Sequence, residues 1–130
     1  MKRYFLLFLL FFACSSFSLN DFEKAIQDCT DEFVILESFK DKDWMYLSGH
    51  DDLSTSTGVD KPTQKCILKN LDIPEEIFNN IFYLKNEKNQ VYIDSWSNIS
   101  IAWGAGSFNG LDIILVLDGE IYQEFINLLD

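Results

Sequence analysis

The stretch VYIDSWSNISIAWGAGSFNGLDIILVL, residues 91–117, decides the fold. Val91 to Trp96 is β-branched and aromatic apart from Asp94 and Ser95, a composition suited to a pleated strand. Ser97-Asn98 is a turn candidate. Ile99, Ile101 and Trp103 then alternate with Ser100 and Ala102, the period-two pattern of a half-buried strand. Gly104, Gly106 and Gly110 are expected to punctuate a longer connection. Leu111 to Leu117 is apolar except for Asp112, the mark of a central strand covered on both faces. Strands that follow one another without intervening helices form an antiparallel sheet, and the class is α+β rather than α/β. The expectation is a small single domain with N-terminal helices, a three- to four-stranded antiparallel sheet and a C-terminal helix.

The flanking segments supply the helices. Downstream, Glu120 to Leu129 carries Ile121, Tyr122, Phe125, Leu128 and Leu129 on a helical face. Upstream, Asp72 and Glu75 read as a capping box with Pro74 in the first turn, opening a helix with Ile77, Phe78, Ile81, Phe82 and Leu84 on its apolar side. Thr63 to Leu71 reads as a short helix bearing Cys66, Ile67 and Leu71. Ser48 to Pro62 has no periodicity and is a loop, preceded by a short strand over Trp44 to Leu47. Phe22, Ile26, Cys29, Phe33 and Leu36 share a helical face behind an Asn20–Glu23 capping box, which predicts a helix to about Phe39. Phe33 to Leu36 also suits a strand that turns at Lys40 to Asp43.

The first eighteen residues have a different character. Lys2 and Arg3 precede an apolar run from Tyr4 to Ala13, then Cys14, Ser15, Ser16, Phe17 and Ser18. A short cationic start, a ten-residue apolar run and small residues are the order of a secretory signal peptide. The run is too short for a membrane-spanning helix, which needs about 20 residues. Ser16 and Ser18 stand in a small-x-small arrangement that places the mature start at Leu19, leaving 19–130 as the domain. A lipid anchor at Cys14 is the rival, with Ala13 before it but Phe11 and Phe12 where lipoprotein signals carry Leu and a small residue.

Removing that segment sharpens the composition. The chain has 10 basic and 21 acidic residues, a net charge of -11; without Lys2 and Arg3 it has 8 basic residues and a charge of -13. Nucleic acid is not an expected partner, because its binding needs a basic face, whereas a basic protein would be steered inward. Cys29 and Cys66 remain as an even pair, which an oxidising compartment would join.

The candidate chemistry is sparse. His50 is the only histidine and lies beside Asp51 and Asp52, where a carboxylate could orient it as a general base, but no G-x-S-x-G elbow presents a serine to it. Asp41, Asp43, Asp51, Asp52 and Asp60 could supply oxygen ligands, yet Met45 and Leu47 stand where an EF-hand needs polar and turn residues. In Gly104 to Gly110 the third glycine falls one position late for a dinucleotide loop, and a strand follows where a helix should start. No cofactor or metal is therefore expected. Tyr92 and Trp96 share a strand face with Asp94 between them, an aromatic pair flanked by acid of the kind that forms protein-binding hot spots. Asn98-Ile99-Ser100 is a glycosylation sequon.

These features predict an exported, acidic, non-enzymatic binding protein, such as an inhibitor or immunity protein that neutralises a basic toxin or hydrolase in the cell envelope. Its expected contacts are Asp41, Asp43, His50, Asp51, Asp52, Tyr92, Asp94 and Trp96. Two other readings of the same residues are a small secreted hydrolase built on His50 and a surface lipoprotein anchored through Cys14. Steering by the loop acids has a direct consequence: Asp51→Asn with Asp52→Asn slows association with a cationic partner several-fold and flattens its salt dependence in stopped-flow mixing. Unchanged rates would remove the steering role.

Overall fold

A computed structural model describes residues 16–31, 42–49, 59–84, 87, 89–105 and 110–129. Its elements run in the order α1 (Leu19–Gln27), β1 (Trp44–Ser48), α2 (Lys61–Asn70), α3 (Glu75–Phe82), β2 (Val91–Trp96), β3 (Ile99–Ala105), β4 (Leu111–Leu117) and α4 (Gln123–Leu128). The four strands form one antiparallel sheet in the order β1-β4-β3-β2. The architecture is α+β: α1 precedes the strands, α2 and α3 lie between β1 and β2, and α4 follows β4.

β4 lies inside the sheet, and all seven of its residues are buried. Its alternate side chains serve two separate cores, as pleating requires. Leu111, Ile113, Leu115 and Leu117 point to an inner face shared with Met45, Leu47, Ile99, Ile101, Trp103 and Trp96. α1, α2 and α3 cover that face with Phe22, Ala25 and Ile26, with Ile67 and Leu68, and with Ile77 and Ile81. Ile114 and Val116 point outward with Ala102 and are covered by the short α4, through Phe125 and Leu129. β3 continues through Gly104 and Ala105, so Gly104 is a strand residue rather than part of the expected connection. Gly104 sits opposite Asp112 and Val91, and a Cβ there would lie 3.2 Å from the Gln90 carbonyl oxygen.

The helix ends differ from the sequence expectation in instructive ways. Ser18 caps α1: its Oγ accepts from Asp21 N–H at 3.2 Å, and the Asp21 carboxylate accepts from Ser18 N–H at 2.7 Å. The capping box is therefore Ser18–Asp21, two residues before the expected Asn20–Glu23. Phe17 and Phe22 occupy the flanking staple positions of that box and both join the inner core. α1 ends at Gln27, with Asp28 as its C-cap and a turn at Cys29, so it stops well short of Phe39; the Phe33–Leu36 segment lies outside the described residues. α2 begins at Lys61, with Pro62 in its first turn and the Asp60 carboxylate accepting from Thr63 N–H at 2.9 Å. Asp72 does not cap α3. It adopts φ 55° in the turn that follows α2, and Pro74 is the N-cap, with no side-chain hydrogen bond.

Cys29 and Cys66 form a disulfide that joins the end of α1 to the middle of α2. Asn70 reinforces the same junction by donating to Ala25 O at 3.2 Å, which satisfies a carbonyl near the end of α1. Lys69 lies over the Phe78 ring, and Lys65 lies over the rings of Phe82 and Tyr83, fastening α2 to α3. Among the described residues no helix is long and apolar enough to cross a membrane.

The disulfide closes a loop of 37 residues, which the chain-entropy argument values at about 3–4 kcal/mol. Paired Cys29→Ser and Cys66→Ser substitution should therefore lower the unfolding free energy in urea by roughly that amount. A double variant as stable as the parent would show that the bridge contributes nothing to the fold.

Candidate functional site

The outer face of the sheet reads as three rows running from β2 to β1. The first is Val91, Gly104, Asp112 and Ser48; the second Ile93, Ala102, Ile114 and Tyr46; the third Ser95, Ser100, Val116 and Trp44. α4 has only six residues and lies over the β1–β4 side of these rows, where Phe125 meets Trp44 with ring centroids 5.7 Å apart. Tyr46 and Ile121 pack into the same cluster. The β2 end is left uncovered: Ile93 is 56% exposed and Ser95 is exposed, while Val91 is half-buried. Tyr122 and Leu128 add further exposed apolar surface on or beside α4. Asp43, Asp118, Glu120 and Glu124, all exposed, lie on the segments that enter and leave this face. The result is an apolar strip beside acidic segments.

At the β1–β4 end the rows close in a polar knot. Asp112 is only 8% exposed, and its carboxylate accepts from Tyr46 Oη at 3.2 Å, from Ser48 Oγ at 3.4 Å and from Gly49 N–H at 3.2 Å. Three donors are what a buried carboxylate requires. The Tyr46 proton is shared with Leu128 O at 3.3 Å, so one hydroxyl ties α4 to the central strand. Burial, followed by the neighbouring Asp112 charge, raises the Tyr46 phenol above its usual range. Tyr46 is therefore a hydrogen-bond donor at neutral pH and not a phenolate. On the inner side of the same corner, Gln64 is fully buried and donates from Nε2 to Leu47 O at 3.2 Å and to Leu111 O at 2.7 Å. Among the described residues its Oε1 has no hydrogen-bond partner. Gly49 passes between these groups, and a Cβ there would collide with the Leu111 carbonyl and lie 2.7 Å from Gln64 Nε2. Val59 N–H donates to Ser48 O at 2.8 Å, which joins the start of the segment before α2 to the end of β1.

The placement of the expected contacts is uneven. Asp41, His50, Asp51 and Asp52 lie outside the described residues. Asp43 is exposed immediately before β1, and its carbonyl accepts from Leu117 N–H at 2.7 Å. The aromatic pair is not an exposed patch. Trp96 is 9% exposed and donates from its indole to Leu71 O at 2.8 Å, at the end of α2. Tyr92 is half-buried and stacks on Trp103 at 5.6 Å, while Asp94, half-buried between them, accepts from Ser95 N–H. These side chains face the helices because their cross-strand partners, Trp103, Ile101 and Ile99, belong to the inner core. The solvent-facing residues of β2 are the alternate set. Strand parity separates the two sets in the sequence, but nothing local says which face the helices take.

Asp60 is used as a helix cap, and among the described residues no three histidine, cysteine or acidic side chains gather as metal ligands would. A hollow of about 230 Å³ lies between Lys61, Ile81, Phe82, Leu84, Ala105, Gly110 and Leu111; of these, only Lys61 is charged. At the sequon, Asn98 Nδ2 donates to Phe17 O and to Asp118 Oδ1, both at 2.8 Å, while its Oδ1 accepts from Phe17 N–H at 2.8 Å. That amide is thus consumed by the fold, and a glycan on its nitrogen would displace the N-terminal segment. Compared with protein families, curated proteins and solved structures, the chain matches none.

The knot generates a pH dependence with a definite sign. A phenol whose folded pKa is raised stabilises the fold fully below the ordinary tyrosine value, about 10, and loses that contribution as pH climbs through the folded value. Thermal unfolding followed from pH 8 to 11 should show an alkaline loss of stability that is smaller in Tyr46→Phe. The variant should also lose about 0.5–1.5 kcal/mol at neutral pH, the net value of a hydrogen bond. Identical alkaline slopes would place Tyr46 outside the linkage.

Proposed function

We propose that this chain is an exported, acidic binding protein that occupies a basic protein partner, in the manner of an inhibitor or immunity protein of the cell envelope. The observation that carries this reading is the half-covered outer face: in a sheet whose central strand is wholly buried, Ile93 stands 56% exposed. An apolar strip beside acidic segments suits a partner with an apolar contact ringed by lysine and arginine, since a contact core is apolar and charge complementarity sets register and on-rate. The net charge of -11 favours the same partner at long range. The signal-like N-terminus supports export, and a disulfide is compatible with an oxidising compartment.

The test uses the oxidised protein as bait in envelope extract, followed by purification of the captured partner and measurement of binding and of the partner's own activity. A cationic partner should be bound in a salt-sensitive manner and inhibited. Ile93→Glu, which puts a charge in the middle of the strip without touching the core, should weaken binding by at least tenfold, about 1.4 kcal/mol. Unchanged affinity in Ile93→Glu would move the contact off this face, and a partner that is bound without loss of activity would exclude inhibition.

A further inference from the structure

We infer that the peptidase cut that releases the mature chain lies ahead of Phe17, at the Ser15–Ser16 or Ser16–Phe17 bond, and not after Ser18. This inference rests on the export reading. Phe17 and Ser18 are working parts of the folded domain. Phe17 packs against the inner core, and its backbone is gripped by Asn98 on both sides, N–H to Oδ1 and carbonyl to Nδ2, each at 2.8 Å. Asn98 is itself held by Asp118, so the grip joins the N-terminal segment to the β2–β3 turn and to the end of β4. Ser18 is the N-cap of α1 and one half of its capping box.

A cut after Ser18 would remove all of this. It would also leave a free α-ammonium group on Leu19, the first residue of α1, where the helix dipole disfavours positive charge. Asn98 would lose both of its bonds to Phe17, and the Asp21 carboxylate would lose its bonds to Ser18. The residues just upstream meet the same small-x-small requirement without that damage: Ala13 and Ser15 stand third and first before the Ser15–Ser16 bond, and Cys14 and Ser16 stand likewise before the Ser16–Phe17 bond. Hydrolysis there breaks one amide C–N bond with one water, leaving a carboxylate on the released peptide and an α-ammonium on Ser16 or Phe17. If the new terminus is Phe17, its ammonium still donates to Asn98 Oδ1, now with charge assistance.

The experiment is export of the full chain in a bacterial host with an envelope, with the N-terminus read by intact mass and Edman degradation. The parent should begin at Ser16 or Phe17. Ser18→Leu, which no signal peptidase would accept beside its cut, should be processed at the same bond as the parent. A parent chain beginning at Leu19 or later, or loss of processing in Ser18→Leu, would overturn the inference while leaving export intact. A lipidated Cys14 terminus would overturn it in favour of anchoring. A chain that keeps Met1 and stays in the cytoplasm would overturn the export reading and this inference with it.

Discussion

The structure depends on covering β4. Seven consecutive buried residues in the interior of a sheet leave no face for water, so both sides must be packed and both edges paired. β1 and β3 supply the edges. The two faces are served very unequally. Three helices, fastened to one another by the disulfide, the Asn70 hydrogen bond and the lysine–ring contacts, cover the inner face. Among the described residues, one six-residue helix covers the outer face. α4 has no side-chain cap, and its attachment relies on Phe125, Leu129 and the shared Tyr46 proton.

That imbalance organises the molecule. α4 lies over the β1–β4 side, where the buried Asp112 also needs donors, and Tyr46 serves both demands at once. The other side of the outer face is left to β2, an edge strand with an exposed Ile93. Edge strands invite pairing with other chains. Here the Ser95 N–H is already taken by the Asp94 carboxylate, which removes one backbone donor from that edge.

Much of this was legible in residues 91–117. β2, the Ser97–Asn98 turn and β4 follow from composition and period, and the even cysteine pair foretold the bridge. Three things were not legible. The period of two separates Tyr92 and Trp96 from Val91 and Ile93 but cannot say which set meets helices, because that depends on packing by residues 22–81. The α1 cap was missed because Ser18 was read as the last residue of a signal peptide, and its hydrogen bonds with Asp21 appear only in the fold. Asp112 reads as an interruption in an apolar run, and its purpose appears only when Tyr46, Ser48 and Gly49 converge on it across 63 to 66 residues of chain.

The central claim is that the uncovered outer face is the surface a partner occupies. Amide hydrogen exchange on the free protein and on its complex with a partner isolated from envelope extract tests this most directly. Partner binding at this face should add protection over residues 91–96 and 120–128, with β4 slow in both states. Protection gained instead over α2 and α3, with residues 91–96 unchanged, would contradict it.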